Sequence, residues 1–140
     1  MIVVGQGVVD WVSQRSGAIF GVARGIGLEK DGKLVAGVAY TDFNGRNVFV
    51  HHAIEGRINR RYLWTIMDYP FNQLKVERVT GPIPAINFKA RNFAERLGFK
   101  VEHVLKDFCP DGDMLYYVGR RSDFRWLNEN LYKSRLAMAA

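Results

Sequence analysis

Cysteine is almost absent. Cys109 is the single one in 140 residues, so no internal disulfide can staple the chain and no Cys-based zinc site can form. That scarcity suits a reducing cytosol, and a cytoplasmic location is expected. His51, His52 and His103 are too few for a metal motif, and no metal is expected. Long apolar runs are also missing, because nothing approaches the roughly 20 residues that cross a bilayer. Met1-Ile2-Val3-Val4 leads into glycines and Asp10 with no basic leader, so neither a secretory signal nor membrane attachment is expected. Acidic residues are the minority, 14 against 20 Lys and Arg, giving a net charge of +6 and a pI near 9.7. The balance favours a polyanionic partner, whether nucleic acid, an acidic protein or a phosphorylated cofactor, without choosing among them. Arg120, Arg121, Arg125, Lys133 and Arg135 cluster late in the chain, among aromatics. They read first as a solvated basic tail and second as a nucleic-acid contact.

What is present describes a globular domain. Hydrophobic residues make up 48% of the chain, enough for a core and against disorder. There are no repeats, low-complexity tracts or linkers, so residues 1–140 form one domain, with 122–140 expected as a C-terminal helical extension. Val8 to Val12 suit a short helix or a strand. Ile19 to Leu28 alternate as a strand, Asp31-Gly32 marks a hairpin turn, Leu34 to Thr41 follow as a strand, and Asn44-Gly45 turns the chain into Val48 to Ile54. Asn59 can cap a helix carrying Tyr62, Leu63, Ile66 and Met67 on one side, which Pro70 should kink or split. Val76 to Ile83 form the next strand. Lys100 to Asp107 and Met114 to Arg120 form a final hairpin, and Asp123 to Leu136 a last helix.

The stretch from Val79 to Phe99, VTGPIPAINFKARNFAERLGF, organises the rest. A strand meets two prolines, Asn87 offers an N-cap, and Ala90, Phe93, Ala94 and Leu97 recur at helical spacing. Gly98 can take the left-handed turn that ends the helix. Physically this says α/β or α+β. Pro82 and Pro84 have no amide hydrogen, so they either end an edge strand or force a central strand away from its neighbour.

The pattern Asn87, Ala90, Phe93, Glu95, Arg96, Leu97, Gly98, Phe99, with the Gly112-Asp113 hairpin that follows, resembles the GNAT superfamily of N-acyltransferases. The branch it most resembles includes ribosomal-protein N-acetyltransferases and small phage-encoded members. The resemblance runs from about Ile19 to Arg121. It implies an α+β fold with a mixed, mostly antiparallel sheet of six to seven strands flanked by helices. In that fold Val48–Ile54 and Val76–Ile83 would splay, and the pantetheine arm of acetyl-CoA would lie between them. It also implies transfer of an acetyl group from acetyl-CoA to a primary amine of a protein or a small molecule, with a homodimer as one assembly. Two other readings keep the fold: a nucleobase-modifying enzyme, with nucleic acid as a less favoured partner, and a binding protein that has lost catalysis.

For cofactor contact the resemblance points to Ala53, Ile54, Gly56, Arg57, Asn59, Arg60, Arg61, Asn87 and Arg91. Ala53 or Ile54 would offer a backbone amide to the thioester carbonyl. The loop from Glu55 to Arg61 leads into a helix N-terminus, a natural seat for a diphosphate. It departs from the family's Arg/Gln-x-x-Gly-x-Gly/Ala, with Ile58 and Arg60 at the small-residue positions and Gly56 alone retained. The catalytic candidates are His51, His52 and Tyr117. Adjacent strand residues face opposite sides, so one histidine at most faces the cleft, and both also read as hydrogen-bonded structural residues. Ala94 stands where many family members place a tyrosine acid, which leaves Tyr116, Tyr117 or water to donate the proton.

Overall fold

The computed structural model describes residues 1–124, 126 and 127. The helix expected over Asp123 to Leu136 lies largely outside the described residues. Ten elements follow one another: β1 (Ile2–Val4), α1 (Gln6–Ser16), β2 (Ala23–Lys30), β3 (Lys33–Thr41), β4 (Asn47–Ile54), α2 (Arg60–Asp68), β5 (Arg78–Pro84), α3 (Phe88–Leu97), β6 (Lys100–Cys109) and β7 (Gly112–Arg120). The strands form one sheet in the order β1-β2-β3-β4-β5-β7-β6. Every neighbouring pair is antiparallel except β4 and β5. This is the expected α+β architecture.

Local chemistry explains most of the boundaries. Asp31 and Gly32 both have positive φ, 52° and 76°, as a two-residue turn between right-twisted strands requires. Asn44 Oδ1 accepts hydrogen bonds from the Arg46 and Asn47 amides and closes the next turn. The expected strand from Ile19 is shorter than its pattern. It begins at Ala23, and Ile19 and Val22 are each 97% exposed. Apolar alternation there reflects no core face, because the segment has no strand beside it. The strand β1, unforeseen, pairs with β2 through Ile2 and Leu28.

Pro70 interrupts the helix as expected. After α2 the chain makes one wide π-helical turn, Tyr69–Gln73. Pro70 cannot donate to the carbonyl four residues earlier, that of Ile66. The buried Tyr40 hydroxyl donates to that carbonyl instead, at 2.5 Å. Asp68 holds the turn by accepting from the Asn72 and Gln73 side-chain amides.

Two cores lie on opposite faces of the sheet. On one, Leu28, Val38, Val48, Val79 and Tyr117 pack with Tyr62 and Ile66 of α2, Ala94 of α3, and Phe71, Phe99 and Phe124. On the other, Val8 and Val12 of α1 sit against Ala39. The helix can approach this closely because Gly25, Gly27 and Gly37 have no side chains; a Cβ on any of them would meet Val8 within 3.1 Å.

The Tyr40–Ile66 bond yields a test. Tyr40→Phe keeps the ring and leaves a buried carbonyl unpaired, so urea unfolding should show a loss of about 1–3 kcal/mol.

Candidate active site

The parallel ladder between β4 and β5 is three residues long: Asn47 with Arg78, Val48 with Val79, Phe49 with Thr80. Beyond it, β4 continues to Ile54 beside β3, and β5 continues to Pro84 beside β7. The two central strands therefore diverge, one of the two readings the prolines left open and the one the resemblance implied. Pro82 and Pro84 keep their register with β7, so the side on which they lack an N–H is the side facing β4. At the vertex Gly81 has no side chain to fill the gap, and an ideal Cβ there would lie 3.6 Å from Val50. From Val50 to Ile54 the open edge of β4 runs five residues, about 16 Å.

This divergence opens a cleft of about 840 Å³. Its walls come from both faces of the sheet. Phe93, Ala94 and Tyr117 line it on the side of α2 and α3, and His51, Ser16 and Ala18 line it towards α1. A ligand threaded between the strands can thus be reached from the far face.

The lining of the cleft reaches Glu55 at the end of β4 but includes none of Gly56, Arg57, Asn59, Arg60 and Arg61, which follow in the loop into α2. The amides of Glu55 and Gly56 are taken by the Val35 carbonyl, at 2.7 and 3.0 Å, and a Cβ on Gly56 would lie 2.8 Å from that of Val35. Gly56 therefore serves close packing. The next five amides, of Arg57, Ile58, Asn59, Arg60 and Arg61, have no hydrogen-bond acceptor among the described residues. Asn59 is the N-cap, accepting from the Tyr62 amide at 2.8 Å. Arg57, Arg60 and Arg61 are exposed around these amides. Glu55, the one acidic residue in the loop, is paired with Arg15 at 2.8 Å, and Arg15 stacks on Trp11. This long-range pair carries no sequence signal.

Across the mouth, Lys89 Nζ donates to the Ile54 carbonyl at 3.3 Å. Asn87 caps α3 through the Ala90 amide and lines the cleft. Arg91 points inward: Nε donates to the Tyr117 hydroxyl at 3.2 Å and a terminal nitrogen to the Ala85 carbonyl at 2.8 Å. Its guanidinium fixes the Tyr117 phenol and is not directed at solvent. Ala94 follows one turn later on the same helix face.

The two histidines part as strand geometry requires. His52 lies with Val48 on the α2 and α3 face, stacked on Phe93 at 4.8 Å, with Nε2 3.0 Å from the Tyr62 hydroxyl. Burial lowers its pKa to about 3 and raises that of Tyr62, so both are neutral at physiological pH. His51 lies on the opposite face with Phe20 against its ring at 4.7 Å. Burial lowers its pKa and the charge of Asp42 partly opposes that. Its imidazole is thus held in the neutral form, the form with a free ring nitrogen. Phe49 and Tyr116 meet edge to face on the same side. Neither Phe20 nor Phe93 stood out as a partner of the histidines in the sequence, because each contact joins segments more than 25 residues apart. No group of three or more His, Cys, Asp or Glu among the described residues could hold a metal ion.

The His52 shift is a statement about stability. Its folded pKa lies below the ordinary 6.5, so the unfolded chain binds a proton that the folded one refuses. The resulting loss begins as pH falls below about 6.5 and grows toward pH 3. His52→Gln should remove this component. Between pH 6 and 4 the stability of the parent should fall more steeply than that of the variant, by up to about 1.4 kcal/mol per pH unit, as read by denaturant melts across pH.

No family model matches the sequence, and no curated protein does. Solved structures do. Spermidine N-acetyltransferase SpeG from Vibrio cholerae, as a point variant, aligns over 93% of this chain and 99% of its own with a TM-score of 0.71 and 15% identity. A ribosomal-protein-S5-alanine acetyltransferase from Vibrio fischeri aligns over 85% and 69%, with a TM-score of 0.61 and 19% identity. An acetyltransferase of the GNAT family from Bacillus anthracis aligns over 81% and 72%, with a TM-score of 0.58 and 18% identity. With its diverging central strands and its amide-lined loop before α2, the chain has the fold of the GNAT acetyltransferases.

Proposed function

We propose that the protein is an N-acetyltransferase that moves an acetyl group from acetyl-CoA to a primary amine by direct attack. The observation that carries this reading is the divergence of β4 from β5 beyond Phe49 and Thr80. It leaves an open strand edge for the pantetheine amides and leads to a row of amides without an acceptor among the described residues, suited to a diphosphate. The named structural neighbours include enzymes for spermidine and for a ribosomal-protein alanine, which supports an amine acceptor.

The residues divide the work. The amides from Arg57 to Arg61 and the three arginine side chains hold the phosphates, and Lys89 releases the Ile54 carbonyl to join them. The β5-facing backbone near Ala53 and Ile54 orients the thioester, and an amide there stabilises the charge that builds on its oxygen. On the α1 face His51 accepts the proton that the amine must lose before or during attack. The nitrogen lone pair forms the new C–N bond, the C–S bond breaks, and the thiolate takes a proton. Tyr117 supplies that proton. Its oxygen already accepts from Arg91, so its own hydrogen is free to face the cleft. His52 does not take part in proton transfer; it props the strand against Tyr62 and Phe93. The acceptor is an amine of a small molecule or a protein, and the setting is the cytoplasm.

Acetyl-CoA at a hundred times its dissociation constant should stabilise the fold by about 2.7 kcal/mol, seen as a rise in melting temperature and as calorimetric binding. No shift at millimolar ligand would overturn the assignment. With an accepted amine, His51→Ala should lower kcat/KM by about 10²- to 10⁴-fold while acetyl-CoA affinity stays unchanged, read by release of the CoA thiol.

A further inference from the structure

The cleft runs deeper on the α2 and α3 face than the gap between β4 and β5. Its lining passes beneath β4 to Val38 and Tyr40 of β3, which stand opposite His52 and Val50 in the β3–β4 ladder. Ile66 and Met67 of α2 and Pro70 of the π-helical turn also line it, as do Val79 of β5 and Phe99. Val38, Tyr40, Ile66 and Met67 are each 3 or 4% exposed. They belong to the same core cluster as Val79 and Phe99. This inner end is therefore a recess screened from bulk solvent and reached through the gap.

The recess is apolar, and the polar atoms around it are already bonded. The Tyr40 hydroxyl donates to the Ile66 carbonyl, His52 Nε2 lies 3.0 Å from the Tyr62 hydroxyl, and the Tyr117 hydroxyl accepts from Arg91. Arg15, Glu55, Lys89 and Arg96, the charged residues among those lining the cleft, are all exposed and lie at its rim. A polar group entering the recess would lose water without gaining a partner, whereas a hydrocarbon chain gains by leaving water. Covalent order in the donor decides which hydrocarbon arrives there. With pantetheine along the open edge of β4, the thioester carbon follows the sulfur, and the acyl carbons beyond it lead inward. Ala94 presents only a methyl group beside this path. The unbranched, adaptable side chain of Met67 can repack around tails of different length. Because β3 lies one strand spacing beyond β4, about 4.8 Å, the room suits a short chain.

We propose that the donor is not confined to acetyl-CoA: the cleft also takes acyl-CoA thioesters with short unbranched chains, butyryl to hexanoyl, whose tails lie among Val38, Tyr40, Ile66 and Met67. The inference rests on the acyl-transfer reading of the same cleft. The bonds exchanged are those of acetyl transfer. The amine nitrogen bonds to the acyl carbon and gives up a proton, the C–S bond breaks, and the thiolate takes a proton.

Calorimetric titration of the full-length protein with acetyl-, butyryl-, hexanoyl- and dodecanoyl-CoA provides the test, with no acceptor needed. From acetyl to butyryl the affinity should rise by about fourfold for each methylene buried. Hexanoyl-CoA should stay tighter than acetyl-CoA, and dodecanoyl-CoA should gain nothing over hexanoyl-CoA because its tail outruns the recess. Butyryl- and hexanoyl-CoA binding no tighter than acetyl-CoA would overturn the proposal. So would a rise that continues to dodecanoyl-CoA, which would place the chain outside the recess. Methyl NMR signals of Val38, Ile66 and Met67 should differ between the acetyl-CoA and hexanoyl-CoA complexes; identical signals beside a rising affinity would also rule the recess out. Val38→Phe fills the recess from β3 and should level the longer donors to the acetyl-CoA value while acetyl-CoA affinity is kept. Its melting temperature reports whether the fold survives, and the parent series decides the matter without it. If acetyl-CoA binds and the longer donors gain nothing, the recess assignment falls alone. If no donor binds, the transferase reading falls and takes this inference with it.

Discussion

The molecule depends on a hydrogen-bond ladder that stops early. Among the described residues β4 and β5 are the only parallel neighbours in the sheet, and they share three residue pairs. A parallel pair this deep in a sheet would ordinarily run its full length, since unpaired backbone inside a protein is costly. Two prolines remove donors from the side of β5 that faces β4, while β7 keeps β5 straight on its other side. The separation is therefore built into covalent structure. The backbone groups it leaves open are free to pair with an extended ligand that carries amides of its own.

Helices then decide what each face of the gap can do. Packing of α2 and α3 against one face places Phe93, Ala94 and Tyr117 along the wall of the cleft, with Arg91 behind Tyr117. Packing of α1 on the other, made close by Gly25, Gly27 and Gly37, brings the segment after it over His51. Two neighbouring histidines consequently have different chemistry. One is enclosed by Phe93 and Tyr62 and kept neutral far into the acid range; the other is only partly buried and lies on the α1 face under Phe20.

Electrostatics in the loop before α2 turn on one carboxylate, that of Glu55. A carboxylate at Glu55 would repel a phosphate. Arg15 neutralises it and ties the end of α1 to the end of β4. The amides from Arg57 to Arg61 have no acceptor among the described residues. The retained Gly56 owes its place to Val35, a contact made by packing between strands.

Local signals were legible in the sequence because they act over a few residues. The Asp31-Gly32 and Asn44-Gly45 turns, the Asn59 and Asn87 caps, the break at Pro70 and the amphipathic α3 follow from backbone and side-chain preferences that neighbours cannot easily override, whereas the prolines alone left open whether β5 would part from β4 or merely end. Alternation misled at Ile19 to Val22, where a strand pattern without a partner strand stays outside the sheet. Only the tertiary structure could decide which histidine is buried, that Arg91 turns inward to Tyr117, that Glu55 is neutralised and that Tyr40 replaces the missing donor of Pro70. Each of these depends on contacts between segments tens of residues apart. Such contacts follow from how the helices settle on the sheet, and no local run of residues encodes that.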